Sequence, residues 1–287
     1  MTEEFKSFNN GRIRLYYGYC ESLIPKLKTK PKNIDLALID PPYNIGYKYN
    51  TYKDNLSWEE YYYQQKTVLL GIRQILKTKG SILYLNYPEQ AAIIWSQMLK
   101  YYKPIDWISW IYHQHTGGKP LRRATRTWLW MTKNQKKCYI GQESLLGKYQ
   151  NPTDKRIQER IKAGLRPIDY DWFMLEQVKN VNKDKTEHPC QLPIEMIERL
   201  IQAACPSDGL VLDPYMGSGT TAVACFNTGR KFIGIECDSK YYDICIKRMT
   251  KTEQTIKLTQ YMNELDTEFD SIPSSPNFPL ENSSTVC

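Results

Sequence analysis

Residues Asp35–Tyr47 read "DLALIDPPYNIGY", and this stretch decides the fold class. Leu36 to Ile39 form a short apolar run bounded by a chain breaker, the pattern of a buried strand. Proline has no backbone N–H and a fixed φ, so Pro41 and Pro42 can continue neither a central strand nor a helix interior. The strand therefore stops at Asp40, and Asp40 to Tyr43 make a stiff loop at its carboxyl end. In open α/β sheets ligands bind at that edge.

The flanking sequence fits such a sheet. "IRLYYG" and "DLALID" read as strands, and "WEEYYYQQKTVLLGIRQILKTKG" has helical apolar spacing with Gly80 as its C-cap. "SILYLN" is a further strand, "PEQAAIIWSQMLK" a helix opening near Pro88, and "IDWISWIY" a third buried strand. This βαβα order predicts an α/β fold with a mainly parallel sheet. From His113 the periodicity fades, although "WLWMTK" and "KCYI" suit one more hairpin. A second αβ run begins near Thr186: "LPIEMIERLIQAAC", "GLVLD", "GTTAVACFNTG", "KFIGIE" and "SKYYDICIKRM". Beyond Leu258 the chain turns polar, and "DSIPSSPNFPLENSSTVC" has the composition of a disordered tail. The expected organisation is an αβ half at 1–112, an insertion at 113–186, a second αβ half at 187–258 and a tail at 259–287.

"VLDPYMGSGTTA" leaves a strand and enters a helix through Gly217 and Gly219, and nineteen residues past Gly217, at the end of the next strand, stands Glu236. Glycines let the backbone approach a ligand closely, the helix amino terminus presents unpaired N–H groups, and an acid at the second strand tip accepts from ribose hydroxyls. The spacing Gly217-x-Gly219-x-x-Ala222 predicts a nucleoside-type ligand without choosing between a nicotinamide dinucleotide and S-adenosylmethionine.

At 287 residues, with 41% apolar and 24% charged, the chain can bury a large core. No apolar stretch approaches the roughly 18 residues of a membrane span, and "MTEEFKSFNN" has neither the basic nor the apolar region of a signal peptide. Eight scattered cysteines without a CxxC pair read as reduced thiols of a cytoplasmic protein, and no zinc-type ligand cluster is expected. The net charge of +8 is uneven: His113 to Glu187 holds 16 Lys/Arg against 8 Asp/Glu, whereas Lys251 to Cys287 holds 2 against 6. A basic middle with interleaved aromatics suits a polyanion.

Asp40-Pro41-Pro42-Tyr43 supplies acceptors and a flat ring, with no nucleophile. The Asp40 carboxylate and a proline-stiffened carbonyl can accept from an exocyclic NH2 group while Tyr43 stacks on a planar base. Such a site positions an amine and removes its proton after attack. "DPPYNIG", then "HPCQLP", then "LDPYMGSGTT" resembles, in that order, the β-class amino-methylating DNA methyltransferases, over most of Arg12 to Met249. The resemblance implies a circularly permuted Rossmann-like fold, S-adenosylmethionine as cofactor and double-stranded DNA as partner. It gives Asp40, Pro41, Pro42 and Tyr43 the catalytic role. His188, Pro189 and Gln191 would lie against the cofactor, with Asp213, Tyr215, Gly217, Gly219 and Thr220 in the cofactor loop. Glu236 would hold the ribose, with Cys237 and Asp238 at the adenine edge, and Tyr215 would add a cation–π contact to the sulfonium.

One departure from the family concerns "LYYGYCESL", which has Tyr19 where many relatives carry Asp. In the family DPPY usually accompanies adenine N6, and Ser in place of Asp40 is commoner for cytosine N4. Acting on a base within a duplex requires flipping it out. The basic insertion is the expected DNA reader, with Arg122, Arg123 and Arg126 contacting phosphates or a guanine edge. A homodimer and a separate restriction endonuclease are the other partners the resemblance suggests. Cytosine N4 methylation, a non-catalytic DNA-binding subunit and a nicotinamide dehydrogenase are the competing readings. The dehydrogenase leaves DPPY unexplained.

Overall fold

Apolar side chains that alternate along the strands send alternate residues to opposite faces of one sheet, and helices cover both faces. In a computed structural model the described residues are 5–27, 33–49, 51–116, 121, 123–178 and 191–270, with backbone alone at 114–116, 260–261 and 263–270. The strands are β1 (Phe5–Phe8), β2 (Ile13–Tyr17), β3 (Ile34–Ile39), β4 (Leu76–Asn86), β5 (Lys103–Thr116), β6 (Arg123–Thr132), β7 (Trp172–Met174), β8 (Leu210–Asp213) and β9 (Lys231–Glu236). The helices are α1 (Cys20–Leu27), α2 (Trp58–Ile75), α3 (Pro88–Met98), α4 (Lys155–Lys162), α5 (Ile194–Ala204), α6 (Thr220–Asn227) and α7 (Ser239–Asp270). Two compact units divide the chain, Met1–Thr250 and Lys251–Cys287. The first holds the sheet, and within the second the described part is helix.

The sheet has nine strands in the order β1-β2-β9-β8-β3-β4-β6-β5-β7. β3 is buried along its whole length. Leu36 and Leu38 pack with α5 and α6 residues such as Ile197 and Ala222. Ala37 and Ile39 pack on the other face with Ile24, Leu69 and Ile94. α2 starts where a capping box dictates, Ser57 Oγ accepting the Glu60 N–H and Glu60 accepting the Ser57 N–H.

Three details differ from the sequence expectations. First, the sheet is mainly parallel as expected, with five of its eight pairings parallel, but β6 lies between β4 and β5 and runs antiparallel to both. The hairpin is therefore β5–β6, and "KCYI" lies outside any strand. β5 crosses the expected boundary at 112, so the segment 113–186 begins inside the sheet. Second, α2 ends at Ile75 and Gly80 lies inside β4. An added Cβ at Gly80 would sit 2.9 Å from the Asp35 carbonyl oxygen, so glycine serves close strand approach and not a cap. Third, α7 runs past residue 258 to Asp270, because "TEQTIKLTQYMNELDTEF" is rich in helix formers and free of Gly and Pro. Residues 271–287 of the expected tail lie outside the described residues. Among the described residues no helix is long and apolar enough to cross a membrane.

Candidate active site

The strand order reverses direction between β8 and β3: β8 continues through α6 to β9 on one side, and β3 through α2 to β4 on the other. A crevice opens at such a point, beyond the carboxyl ends of the strands. Here it is a cavity of about 950 Å³. β3 delivers Asp40, Pro41, Pro42 and Tyr43 to its wall, the β8–α6 turn delivers Asp213, Tyr215, Gly217 and Thr220, and β9 delivers Glu236, Cys237 and Asp238. Gln191 joins them ahead of α5. Segments far apart in the chain thus face one space. His188 and Pro189 lie outside the described residues, as does Arg122.

Asp40 accepts a hydrogen bond from the Tyr43 hydroxyl. Burial raises its carboxyl to about 6 against the opposing pull of the Arg126 guanidinium and that hydroxyl. The Tyr43 ring is itself buried, edge-on to Tyr87 at 5.0 Å between centroids and 62° between planes. Pro42 is braced from behind, its carbonyl accepting from the Tyr61 hydroxyl at 3.0 Å. Tyr61 accepts in turn from Asn86 Nδ2 at 2.8 Å, and Asn86 also donates to the Tyr84 hydroxyl. Tyr61 and Asn86 are fully buried, so each of these polar groups depends on the others. The substitution Tyr61→Phe is expected to lower stability by about 1–3 kcal/mol by leaving buried partners unmet. Thermal denaturation measures that loss, and a fall in kcat at unchanged cofactor affinity would show that the brace reaches the loop.

The glycine loop is closed by its own acids. Asp213 accepts from the Tyr215 N–H at 3.0 Å and the Thr221 hydroxyl at 2.6 Å. Burial pushes Asp213 up to about 7, with Asp40 and Glu236 adding to the rise. Glu236 accepts from the Gly217 N–H and the Asp238 N–H, each at 2.8 Å, which ties the loop to the end of β9. Asp238 accepts the N–H groups of Lys240 and Tyr241 and so caps the start of α7. Thr220 receives a hydrogen bond from Arg248 at 3.0 Å. Cys237, pushed up to about 11 by burial and by Glu236, faces Thr51 at 3.9 Å.

Gly219 does not line the cavity; it is the N-cap of α6, with φ +80°. Arg123 lies over the Tyr87 ring at 4.0 Å and pairs with Glu89. Arg126 departs furthest from the sequence reading. It lines the cavity and is only 7% exposed, because β6 carries it inward at the sheet edge that also holds Asp40. Sequence reasoning also missed Glu21, Tyr52 and Gln64, which line the same space. Glu21 accepts from Gln64 Nε2 at 2.9 Å, whereas Tyr19, at the position of the family acid, is 54% exposed.

The DNA methylase family model matches residues 34–247. The chain belongs to the N6/N4 DNA methylases. It is 29% identical over 264 residues to the Type II methyltransferase M.ScaI of Streptomyces caespitosus, covering 87% of this chain and 85% of that protein. It is 31% identical over 237 residues to M.HpaI of Haemophilus parainfluenzae, covering 80% and 73%. The DNA adenine methyltransferase YhdJ of Escherichia coli K12 is 26% identical over 251 residues, 84% of each chain. Among solved structures, the M1.HpyAVI complex with S-adenosylmethionine has a TM-score of 0.56 at 22% identity, covering 82% of this chain and 99% of that one. The cytosine-N4-specific PvuII methyltransferase has a TM-score of 0.63 at 16% identity, covering 85% and 92%. At such identities the likeness shows the fold alone.

As a member of the DNA methylase family the chain uses S-adenosylmethionine, and the donor set fits it. Among the described residues lining the cavity, Glu21, Asp40, Asp213, Glu236 and Asp238 are acidic and Arg126 is the one cation. Acids and aromatic rings suit a ligand that carries a sulfonium and an ammonium.

Proposed function

We propose that this methylase transfers a methyl group to the N6 amino group of adenine in duplex DNA, after the base has been flipped out of the helix. The observation that carries this reading is an acid, Asp40, at the head of the DPPY loop, at the cavity wall it shares with the glycine loop. Asp40 and the Pro41 carbonyl accept the two amino hydrogens and aim the nitrogen lone pair, while Pro42 stiffens the loop and Tyr43 offers its ring to the base. Bound S-adenosylmethionine supplies an electrophilic methyl group. Asp40 takes up the proton released after attack, as a carboxyl of raised pKa near neutrality can. Gln191, Tyr215, Gly217, Thr220 and Glu236 hold the cofactor, with Gly219 turning the chain into α6, Asp213 as the internal brace of their loop and Cys237 and Asp238 at the adenine edge. His188 belongs to the same set by motif.

The segment 113–186 reads DNA through its parts outside the sheet. α4 fits that role, presenting Lys155, Arg156, Arg160 and Lys162 on an exposed helix. The permuted order of the two αβ halves, a second copy of the chain and a separate endonuclease belong to the same reading. It is tested by incubating purified methylase with unmethylated genomic DNA and labelled S-adenosylmethionine, then separating the digested nucleosides. Label in N6-methyladenine is expected. Label in N4-methylcytosine would replace the base assignment, and absence of label in DNA would reject the reading.

A further inference from the structure

A buried guanidinium is costly unless it meets compensating groups. Arg126 meets four aromatic rings: its guanidinium carbon lies 5.1 Å from the Tyr43 centroid, 5.2 Å from Trp110, 5.7 Å from Tyr87 and 5.9 Å from Tyr112. Its charge also acts on Asp40. The register explains the placement. Thr127 of β6 pairs with Asn86 at the carboxyl end of β4, and Arg126 pairs with Trp110 of β5. An antiparallel strand thus brings its amino end to the edge where the parallel strands deliver their carboxyl ends. A phosphate contact needs an open surface, such as that of Arg156, whose side chain is 91% exposed.

We propose that Arg126 is a positioning residue for methyl transfer, its caged guanidinium fixing the Asp40 carboxylate and the Tyr43 ring for the incoming amino group, and not a contact to the DNA backbone. This rests on Asp40 as the amine acceptor. A guanidinium is flat and can lie against ring faces while keeping its charge, which a lysine ammonium cannot do in the same way. Arg126 of β6 and Tyr43 of the same loop act on Asp40, and Asp40 in turn raises Tyr84 of β4 and Asp213 of β8. Arg126 is the cation in that set, so its removal should disfavour the ionised acid.

The test uses full-length Arg126→Gln and Arg126→Lys, with kcat and KM for DNA measured across pH and at several salt concentrations, and cofactor affinity measured separately. For Gln, kcat is expected to fall on the order of 10²-fold, with KM for DNA and its salt dependence unchanged, and the acid limb of kcat/KM displaced to higher pH. Lys should hold the limb near its original position while recovering only part of kcat. A Gln variant with intact kcat, raised KM for DNA and a shallower salt slope would overturn the proposal in favour of a phosphate contact. An unmoved acid limb would overturn it as well. If Gln does not fold, Lys decides: full kcat rejects the role of the flat guanidinium, and reduced kcat at unchanged KM supports it. Asp40→Ala is assayed in parallel, and its retention of activity would reject the reading of Asp40 itself, whatever Arg126 does.

Discussion

Asp40→Ala is expected to lower kcat by roughly 10²- to 10⁴-fold, the range of a positioned proton acceptor, while S-adenosylmethionine still binds. The split follows from the geometry. The glycine loop is held by Asp213, Glu236 and Thr221, and none of those hydrogen bonds passes through Asp40. Equilibrium dialysis with labelled cofactor, beside single-turnover methylation, separates the two effects. Loss of cofactor affinity in step with kcat would show that Asp40 belongs to the binding loop.

Stability moves in the opposite direction in Asp40→Asn. Asp40 titrates near 6 in the fold against an ordinary value of 3.8, so the folded state binds its proton more tightly than the unfolded chain. Its contribution to stability is fully present below about 3.8 and is lost as pH rises through about 6. The ionised acid therefore costs the fold no more than about 3 kcal/mol at pH 8, an upper limit because the carboxyl faces a wide cavity. Asn keeps an acceptor for the Tyr43 hydroxyl and carries no charge. Its melting temperature should exceed that of the native protein at pH 8, with the difference closing towards pH 4. An equal difference at both pH values would remove the electrostatic cause.

The parts of this site that the sequence shows are those whose chemistry is local. Two prolines end a strand wherever they occur, so "DPPY" marks the carboxyl end of β3 without any tertiary information. The glycine loop is legible for the same reason, since Gly217 and Gly219 take the positive φ that other residues avoid. Arg126 was not legible. Three arginines within five residues look like a basic surface, and only the antiparallel pairing of β6 against β4 turns one of them inward. Gly80 misled in a similar way: a glycine after helical spacing suggests a cap, but the demand comes from the Asp35 carbonyl on a neighbouring strand. Glu21 escaped because its relevance depends on β2 lying beside β9, a long-range pairing.

The second large effect is expected at Gly219→Ala, for two reasons that can be measured apart. Gly219 has φ +80°, where an L-residue costs roughly 1–2 kcal/mol. The added Cβ would also lie 2.3 Å from Cys245 Sγ, a fully buried atom. Overpacking of that kind costs about 1–3 kcal/mol more. Cys245 Sγ already lies 3.9 Å from Met216 Sδ, so displacing it presses on the loop itself. Relief by a backbone shift moves Gly217 off Glu236, and cofactor affinity falls together with melting temperature. In the double variant Gly219→Ala with Cys245→Ala the steric part disappears and the backbone strain remains. Coupling of about 1–3 kcal/mol is therefore expected in a double-mutant cycle. Additive losses would place the whole cost in the φ of Gly219, and unchanged cofactor affinity in the single variant would show that the loop absorbs the methyl group without moving.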